Sequence, residues 1–404
     1  MSQHRAEPRE VALVNERIDE LLAEHDPAGM EPSKFWAAQF DAGLAWVEFP
    51  EGRGGLGVDR SLQGLVADRL LAAGAPDNAP WNLIGLSMMA PTVIQFGSAE
   101  NQDRFLRPAF TCEEIWCQLF SEPGAGSDLA SLATRAVRDG DQWVVTGQKV
   151  WTTLAHRASF ATLIARTDPN VPKHEGLTYF ILDMSAEGVE VRPLRQITGE
   201  AEYNEVYLTE VRIPDSMRLG EIGKGWTVAR ATLLNERAGV AKFDLGAAGS
   251  GPIKHALGCW ADAHPAQRTS ANRDRLIELW AEAELLRLTR LRYSEEGREL
   301  GAETSGIKVT MSTLTQKIHD LCLNLRGPDA LLIDDYEMTR PDRIAMTSSV
   351  IQGDLTKAWL SYQAMTIGGG TVEINKTVVG EAILGLPAEP RADRGKAWKD
   401  VPRS

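Results

Sequence analysis

Leu119–Asp128 reads LFSEPGAGSD, with two serines, two acids, two glycines and a proline in front of an alternating stretch that ends KVWTT. Such a segment is either an ordinary turn entering a hairpin or a loop whose backbone N–H groups and hydroxyls approach a ligand closely. Two residues further along stand out as a pair. Trp151 and Thr153 are two apart, so on a strand they share one face and offer an aromatic plane beside a hydroxyl. Thr371 follows three glycines in GGGTVEIN, a pattern that also breaks a helix. Glu236 sits in TLLNERAGVA between Leu233, Leu234 and Val240, and an acid in apolar company needs a reason.

These groups need a scaffold, and the chain changes period twice. Residues 1–114 repeat apolar side chains at three and four, as in VALVNERIDELLAEH and in SLQGLVADRLLAAG, which stops at Gly74. PEGRGGLGVD is a glycine-rich connector. PTVIQFG is a short helix, and Ser98 is the cap of the next one. Over 115–222 the period becomes two. TRAVRDGDQWVVTGQKVWT predicts a hairpin around Asp139-Gly140, followed by strands in ASFATLIART, LTYFILDM, GVEVRPLRQ and NEVYLTEVRIP. Several antiparallel strands in so short a span predict a small barrel or sandwich. Over 223–387 four long helical candidates predict an up-and-down bundle, and the charged tail, 388–404, reads as loosely ordered.

The bulk numbers exclude some classes. The chain has 404 residues, so two or three domains are expected. Its net charge of −13 argues against general nucleic-acid binding. No apolar leader or long apolar run is present, which predicts a soluble, cytoplasmic chain with no membrane partner. Cys112, Cys117, Cys259 and Cys322 lack metal or redox spacing and read as reduced thiols, and the scattered histidines predict no metal site.

The order of helices, β module and bundle resembles the acyl-CoA dehydrogenase family across nearly the whole chain. FSEPGAGSDLASLATRA is similar to the family's first signature. GQKVWTTLA is similar to its Gly-x-Lys-x-Trp-x-Thr strand, and IGGGTVEINKTVVGEAILGLP to its C-terminal Gly-Thr segment. The resemblance implies a mainly α fold with a central β domain: an N-terminal helical domain, a small antiparallel β barrel and a C-terminal four-helix bundle. It also implies FAD-dependent α,β-dehydrogenation of an acyl-CoA thioester. A base takes the α-proton while hydride leaves the β-carbon for flavin N5, and electrons pass on to an electron-transfer flavoprotein.

The site residues follow from the same resemblance. Ser121 is expected at the flavin ring edge and Ser127 at the phosphate region, with Ser127 also near substrate. Trp151 is expected against the isoalloxazine, Thr153 at N5, and Thr371 on FAD. The commoner position of the catalytic acid, about five helical turns before Gly370-Thr371, falls near Gln352, where Asp354 is the nearest acid. The isovaleryl-like and long-chain-like position falls instead on Glu236, followed by Arg237 for the CoA portion. Glu236 is therefore the expected base, with Asp354 a distant second. The family's Gln-x-x-Gly-Gly segment corresponds to LNLRG, with Leu323 and Arg326 as departures, and only Arg268 and Arg273 offer themselves to the pyrophosphate. The resemblance implies a tetramer, either a dimer of dimers or a heterotetramer with a related chain. The NER motif leans toward bacterial lipid- and sterol-degrading members. Two alternatives keep the fold: a flavin oxidase or monooxygenase, and a non-catalytic partner subunit.

Overall fold

The computed structural model describes residues 6–242, 248–295, 301–333, 335–344, 354–391 and 393–401, with the side chains of 236–242 and 294–295 outside the description. Residues 8–110 are mainly helical. α1 (Pro8–Glu24) buries Val14, Ile18 and Leu21, one stripe at helical spacing. α2 (Pro32–Asp41), α3 (Gln63–Ala72) and α4 (Ala79–Ile84) follow. A π-turn at Gly85–Met89 then leads into α5 (Ala90–Phe96). α6 (Ala99–Phe110) begins as its sequence predicts, with the Ser98 hydroxyl accepting from the Asn101 N–H at 3.2 Å.

The middle of the chain forms one eight-stranded sheet: β1 (Trp116–Leu119), β2 (Arg135–Asp139), β3 (Gln142–Thr153), β4 (Phe160–Arg166), β5 (Leu177–Asp183), β6 (Val189–Pro193), β7 (Tyr203–Pro214) and β8 (Arg218–Leu219). The order is β6-β7-β3-β2-β4-β5-β8, and β1 pairs with β4. Asp139 pairs with Gln142 across the expected hairpin, and Gly140 takes the left-handed φ of 65° that the turn requires. The antiparallel expectation fails at β4, which runs parallel to β1 and, at one residue pair, to β2. The apolar lead-in Trp116–Leu119 is itself the extra strand, too short for its alternation to be read.

β4 and β5 are mostly apolar because both their faces are buried. Ala161, Leu163, Phe180 and Leu182 pack inward with Trp143, Val145, Val206 and Ile213, giving the β module its own core. Ile164, Tyr179 and Ile181 face the opposite way, into a core shared with the N-terminal helices and with Val228 and Ala229.

The C-terminal region contains α7 (Gly225–Lys242), α8 (Pro252–Asp262), α9 (Ser270–Glu295), α10 (Glu303–Arg326), α11 (Leu355–Tyr362) and α12 (Val372–Ala382). The expected four long helices are thus more numerous and shorter. The first candidate ends in α8 as a separate helix because Gly249 and Gly251 adopt φ of 80° and 72°, and Pro252 then starts α8 without an N–H to lose. In the fourth, Gly369 and Gly370 adopt φ of 66° and 85° between α11 and α12. α10 packs against α7, α8, α9, α11 and α12 and is the axis of the bundle. The tail also departs from expectation, since residues 393–401 dock on the β module rather than hanging free. All four cysteines are free thiols. Among the described residues no helix is long and apolar enough to cross a membrane, and no cluster of histidine, cysteine or acid side chains could hold a metal ion.

Candidate functional site

The first two motifs meet at the end of β3. The Val150 N–H donates to the Ser121 carbonyl at 2.9 Å, which lays the signature loop along the strand. Glu122 and Ala125 exchange backbone hydrogen bonds of 3.0 Å across Pro123-Gly124, closing a tight turn. Space is open beside Gly124 and Gly126, so a flat or phosphate-bearing ligand can approach the backbone there.

Lys149 locks this junction. Its ammonium, fully buried, donates to the Phe120 carbonyl at 2.9 Å, to Glu122 Oε1 at 2.9 Å and to the Ile164 carbonyl at 3.0 Å. Glu122 also accepts from the Ala133 and Thr134 N–H groups at 2.7 and 2.9 Å. Burial opposes ionisation of Glu122, but Lys149 and these donors outweigh it and hold the carboxyl below its ordinary pKa. Burial pulls the pKa of Lys149 down, and Glu122 offsets part of that. Neither residue was singled out from sequence, although both stand within the motifs.

Beyond Lys149 the ladder slips. A register shift falls between Lys149 and Thr152 in the β3–β7 pairing, and Trp151 adopts φ of 61°. A bulky residue in the left-handed region costs roughly 1–2 kcal/mol and marks a functional constraint worth testing. Val150 and Thr152 are buried, Trp151 is 60% exposed and Thr153 is half-buried, so the pair emerges outward as its spacing suggests. The Trp151 ring meets Tyr203 edge-on, centroids 6.1 Å apart. Among the described residues, the hydroxyls of Ser121, Ser127 and Thr153 and the Trp151 indole N–H make no hydrogen bond to protein. An exposed aromatic plane, unbonded hydroxyls and open glycines are the kinds of group that an isoalloxazine and its phosphate arm require.

α7 packs against β5 and β4. Thr232, fully buried, accepts or donates at 2.9 Å to Thr92 on α5 and at 3.1 Å to Tyr179 on β5, and it bonds the Val228 carbonyl at 3.0 Å. Three parts of the chain are pinned at one hydroxyl. Glu236 lies four positions on, one helical turn along the same edge of α7. Its side chain, with those of Arg237 and Val240, lies outside the described residues. The neighbourhood is less buried than the sequence suggests: Leu233 is half-buried, but Leu234 is 47% exposed because it points off the packed face. The wall opposite α7 is the π-turn, with Leu86, Met88 and Met89 buried. Asn82 anchors that wall by donating to the Ala109 and Glu114 carbonyls and accepting from the Trp116 N–H at 2.9 Å. The sequence carries no signal for this role beyond an asparagine in an apolar run.

Thr371 is not joined to these residues by any described contact. It caps α12, its hydroxyl accepting from the Ile374 N–H at 3.1 Å. The Lys308 ammonium donates to the adjacent Gly370 carbonyl at 3.1 Å. Asp354 is likewise a cap, accepting from the Thr356 and Lys357 N–H groups at 2.8 and 3.1 Å at the start of α11. Gln352 lies outside the described residues. Arg268 donates to the Ala261 carbonyl, and Arg273 pairs with Asp274 at 2.9 Å, so both are engaged locally. A broad open hollow lined by Val137, Trp143, Thr167, Val171, Ile222 and Lys224 contains none of the expected site residues.

Three family models match the chain in order: the acyl-CoA dehydrogenase N-terminal domain over residues 4–113, the middle domain over 117–211 and the C-terminal domain over 223–384. Acyl-CoA dehydrogenase FadE34 of Mycobacterium tuberculosis is 38% identical over 94% of this chain, which spans about half (49%) of that relative's length. Acyl-CoA dehydrogenase IpdE1 of the same organism is 35% identical, with 87% of this chain and 86% of the relative covered. Among solved structures, the Tcur3481-Tcur3483 steroid ACAD superimposes with a TM-score of 0.71 at 26% identity, covering 96% of this chain and 100% of that one. With three domain matches in sequence order and a full-length relative above 30% identity, the chain belongs to the acyl-CoA dehydrogenase family of FAD-binding flavoprotein oxidoreductases.

Proposed function

We propose that the chain catalyses α,β-dehydrogenation of an acyl-CoA thioester, with Glu236 as the base. The observation that supports the reading is the seating of α7 by Thr232, one helical turn before Glu236, against Thr92 and Tyr179. FAD, when bound, supplies the hydride acceptor. The rest is work for the chain. Glu236, ionised, takes the α-proton of the thioester, while the π-turn and α7 exclude water from the carboxyl. Trp151 covers one edge of the flavin ring, Ser121 and Thr153 offer hydroxyls to it, and Ser127 with Gly124 and Gly126 receives the phosphate arm. Thr371 contacts the same cofactor with the hydroxyl proton that its capping role leaves free, and Arg237 pairs with the CoA portion.

The paired name of the steroid ACAD and the NER motif favour a bulky, sterol-derived acyl chain as the first to test. Association with a second copy or a related chain is supported by apolar residues exposed along α9: Ile277 (59%), Trp280 (40%) and Leu288 (46%). The reading includes a cytoplasmic enzyme that hands electrons to an electron-transfer flavoprotein. The test is to purify the chain, record its visible spectrum and add CoA thioesters anaerobically. A yellow protein that bleaches, and whose colour returns slowly in air but quickly with an electron-transfer flavoprotein, supports the proposal. Rapid return in air alone indicates an oxidase. A colourless chain that takes up no FAD indicates a partner subunit.

A further inference from the structure

The C-terminal family match ends at residue 384, yet the chain beyond it returns to the β module and seats itself beside the signature loop. The Trp398 N–H donates to the Val171 carbonyl at 2.9 Å, and the Lys399 N–H to the Pro169 carbonyl at 3.1 Å. The Trp398 indole N–H donates to the Ser131 carbonyl at 3.1 Å, and its ring, 9% exposed, lies under the Arg166 guanidinium at 4.7 Å. Arg166, itself 3% exposed, donates to the Ala130 and Lys173 carbonyls at 2.5 and 2.7 Å. Lys173 closes the ring, bridging Asp128 at 2.7 Å and Asp393 at 2.5 Å. One tail segment therefore grips both sides of the turn that begins at Ser127. A tail with no role would leave such a tryptophan in solvent, because ordering these residues costs conformational entropy that only desolvated contacts offset.

We propose that residues 393–401 are a latch that holds the Ser127–Leu132 turn in the shape that receives the phosphate arm of the flavin dinucleotide, with Trp398 as its positioning residue. The proposal rests on the assignment of FAD to this loop. Ser127 and Asp128 are consecutive, Asp128 is tied to the tail through Lys173, and Ser131 is tied to it directly. The turn is also held from within, by the Ser131 and Leu132 N–H groups on the Asp128 and Leu129 carbonyls, and from beneath, by buried Leu129, Ala130 and Leu132; the tail adds the tie on its outer side, where Gly124 and Gly126 lead in through open space.

The experiment compares the full chain with Trp398→Ala, with Trp398→Phe and with a chain lacking residues 391–404. Amide hydrogen exchange is followed first in the flavin-free proteins. Exchange at Ser131 and Leu132 should quicken at least about tenfold in the alanine variant and in the truncated chain, the factor that loss of a desolvated cation–π contact implies. Amides of β5 and α10 should not change, and phenylalanine should restore much of the protection. Dissociation of FAD from the loaded proteins should quicken in the same order. Unchanged exchange at Ser131 and Leu132 overturns the latch. Quickened exchange with unaltered FAD dissociation overturns its link to the cofactor. If the full chain binds no FAD at all, the functional reading fails on its own, while the exchange data still decide whether the latch exists.

Discussion

Thr232 on α7 and Tyr179 on β5 share a buried hydrogen bond of 3.1 Å, and Thr92 on α5 completes it at 2.9 Å. Burial pushes the Tyr179 phenol up to about 12, so it stays a neutral hydrogen-bonding partner at any physiological pH. Thr232→Val keeps the volume but removes a buried partner from the Tyr179 hydroxyl and from that of Thr92, which keeps its bond to the Met88 carbonyl at 2.7 Å. The expected loss is about 1–3 kcal/mol, the cost of leaving buried polar groups unsatisfied. Urea unfolding measures it, and bleaching by thioester should slow because α7 is no longer pinned.

Lys149→Met should cost about 3–5 kcal/mol, because it leaves the Glu122 carboxylate buried without its counter-charge. Adding Glu122→Gln to that variant should recover part of the loss, since the uncompensated charge is then gone. A double-mutant cycle by chemical denaturation checks this. Two additive losses would show that the pair is not coupled.

Acid sensitivity has a traceable contributor. Hydrogen bonds from Arg218 and Trp143 hold the Asp215 carboxyl down to about 2, against an ordinary 3.8. A depressed folded pKa means that this stabilisation is complete above the unfolded value and is lost as pH falls through the folded one. Asp215→Asn should be less stable at neutral pH and show a shallower decline between 3.8 and about 2. Parallel acid profiles for the two proteins would contradict the assignment.

Trp151→Gly separates backbone strain from function. Glycine adopts the left-handed φ without penalty, and the indole is mostly exposed, so stability should hold or rise by roughly 1 kcal/mol. Flavin retention should nevertheless fall, because the aromatic cover is gone. Thermal melts of the flavin-free protein and equilibrium dialysis of FAD read the two effects apart.

The strands, the Asp139-Gly140 hairpin and the Ser98 cap were legible because each depends on neighbours in sequence. What escaped depends on distant partners. The parallel β1–β4 pairing joins residues far apart in sequence, such as Trp116 and Phe160. Lys149 looks like any surface lysine until Phe120, Glu122 and Ile164 are found around it. The tail reads as loose from composition, yet Trp398 finds Arg166 and Ser131, far earlier in the chain. Leu234 was expected inside, but with the packed edge of α7 running through Val228 and Thr232 it falls on the outer side. Glu236 and Thr371 were reached through motif resemblance, and the local contacts of Thr371 alone describe a helix cap.

The central claim is that one carboxyl on α7 removes the α-proton. Glu236→Gln preserves shape and hydrogen bonding while removing the base. The variant should purify yellow with an unaltered flavin spectrum and lose thioester-driven bleaching by a factor of at least about 10². A variant that bleaches at the rate of the parent protein would contradict the account.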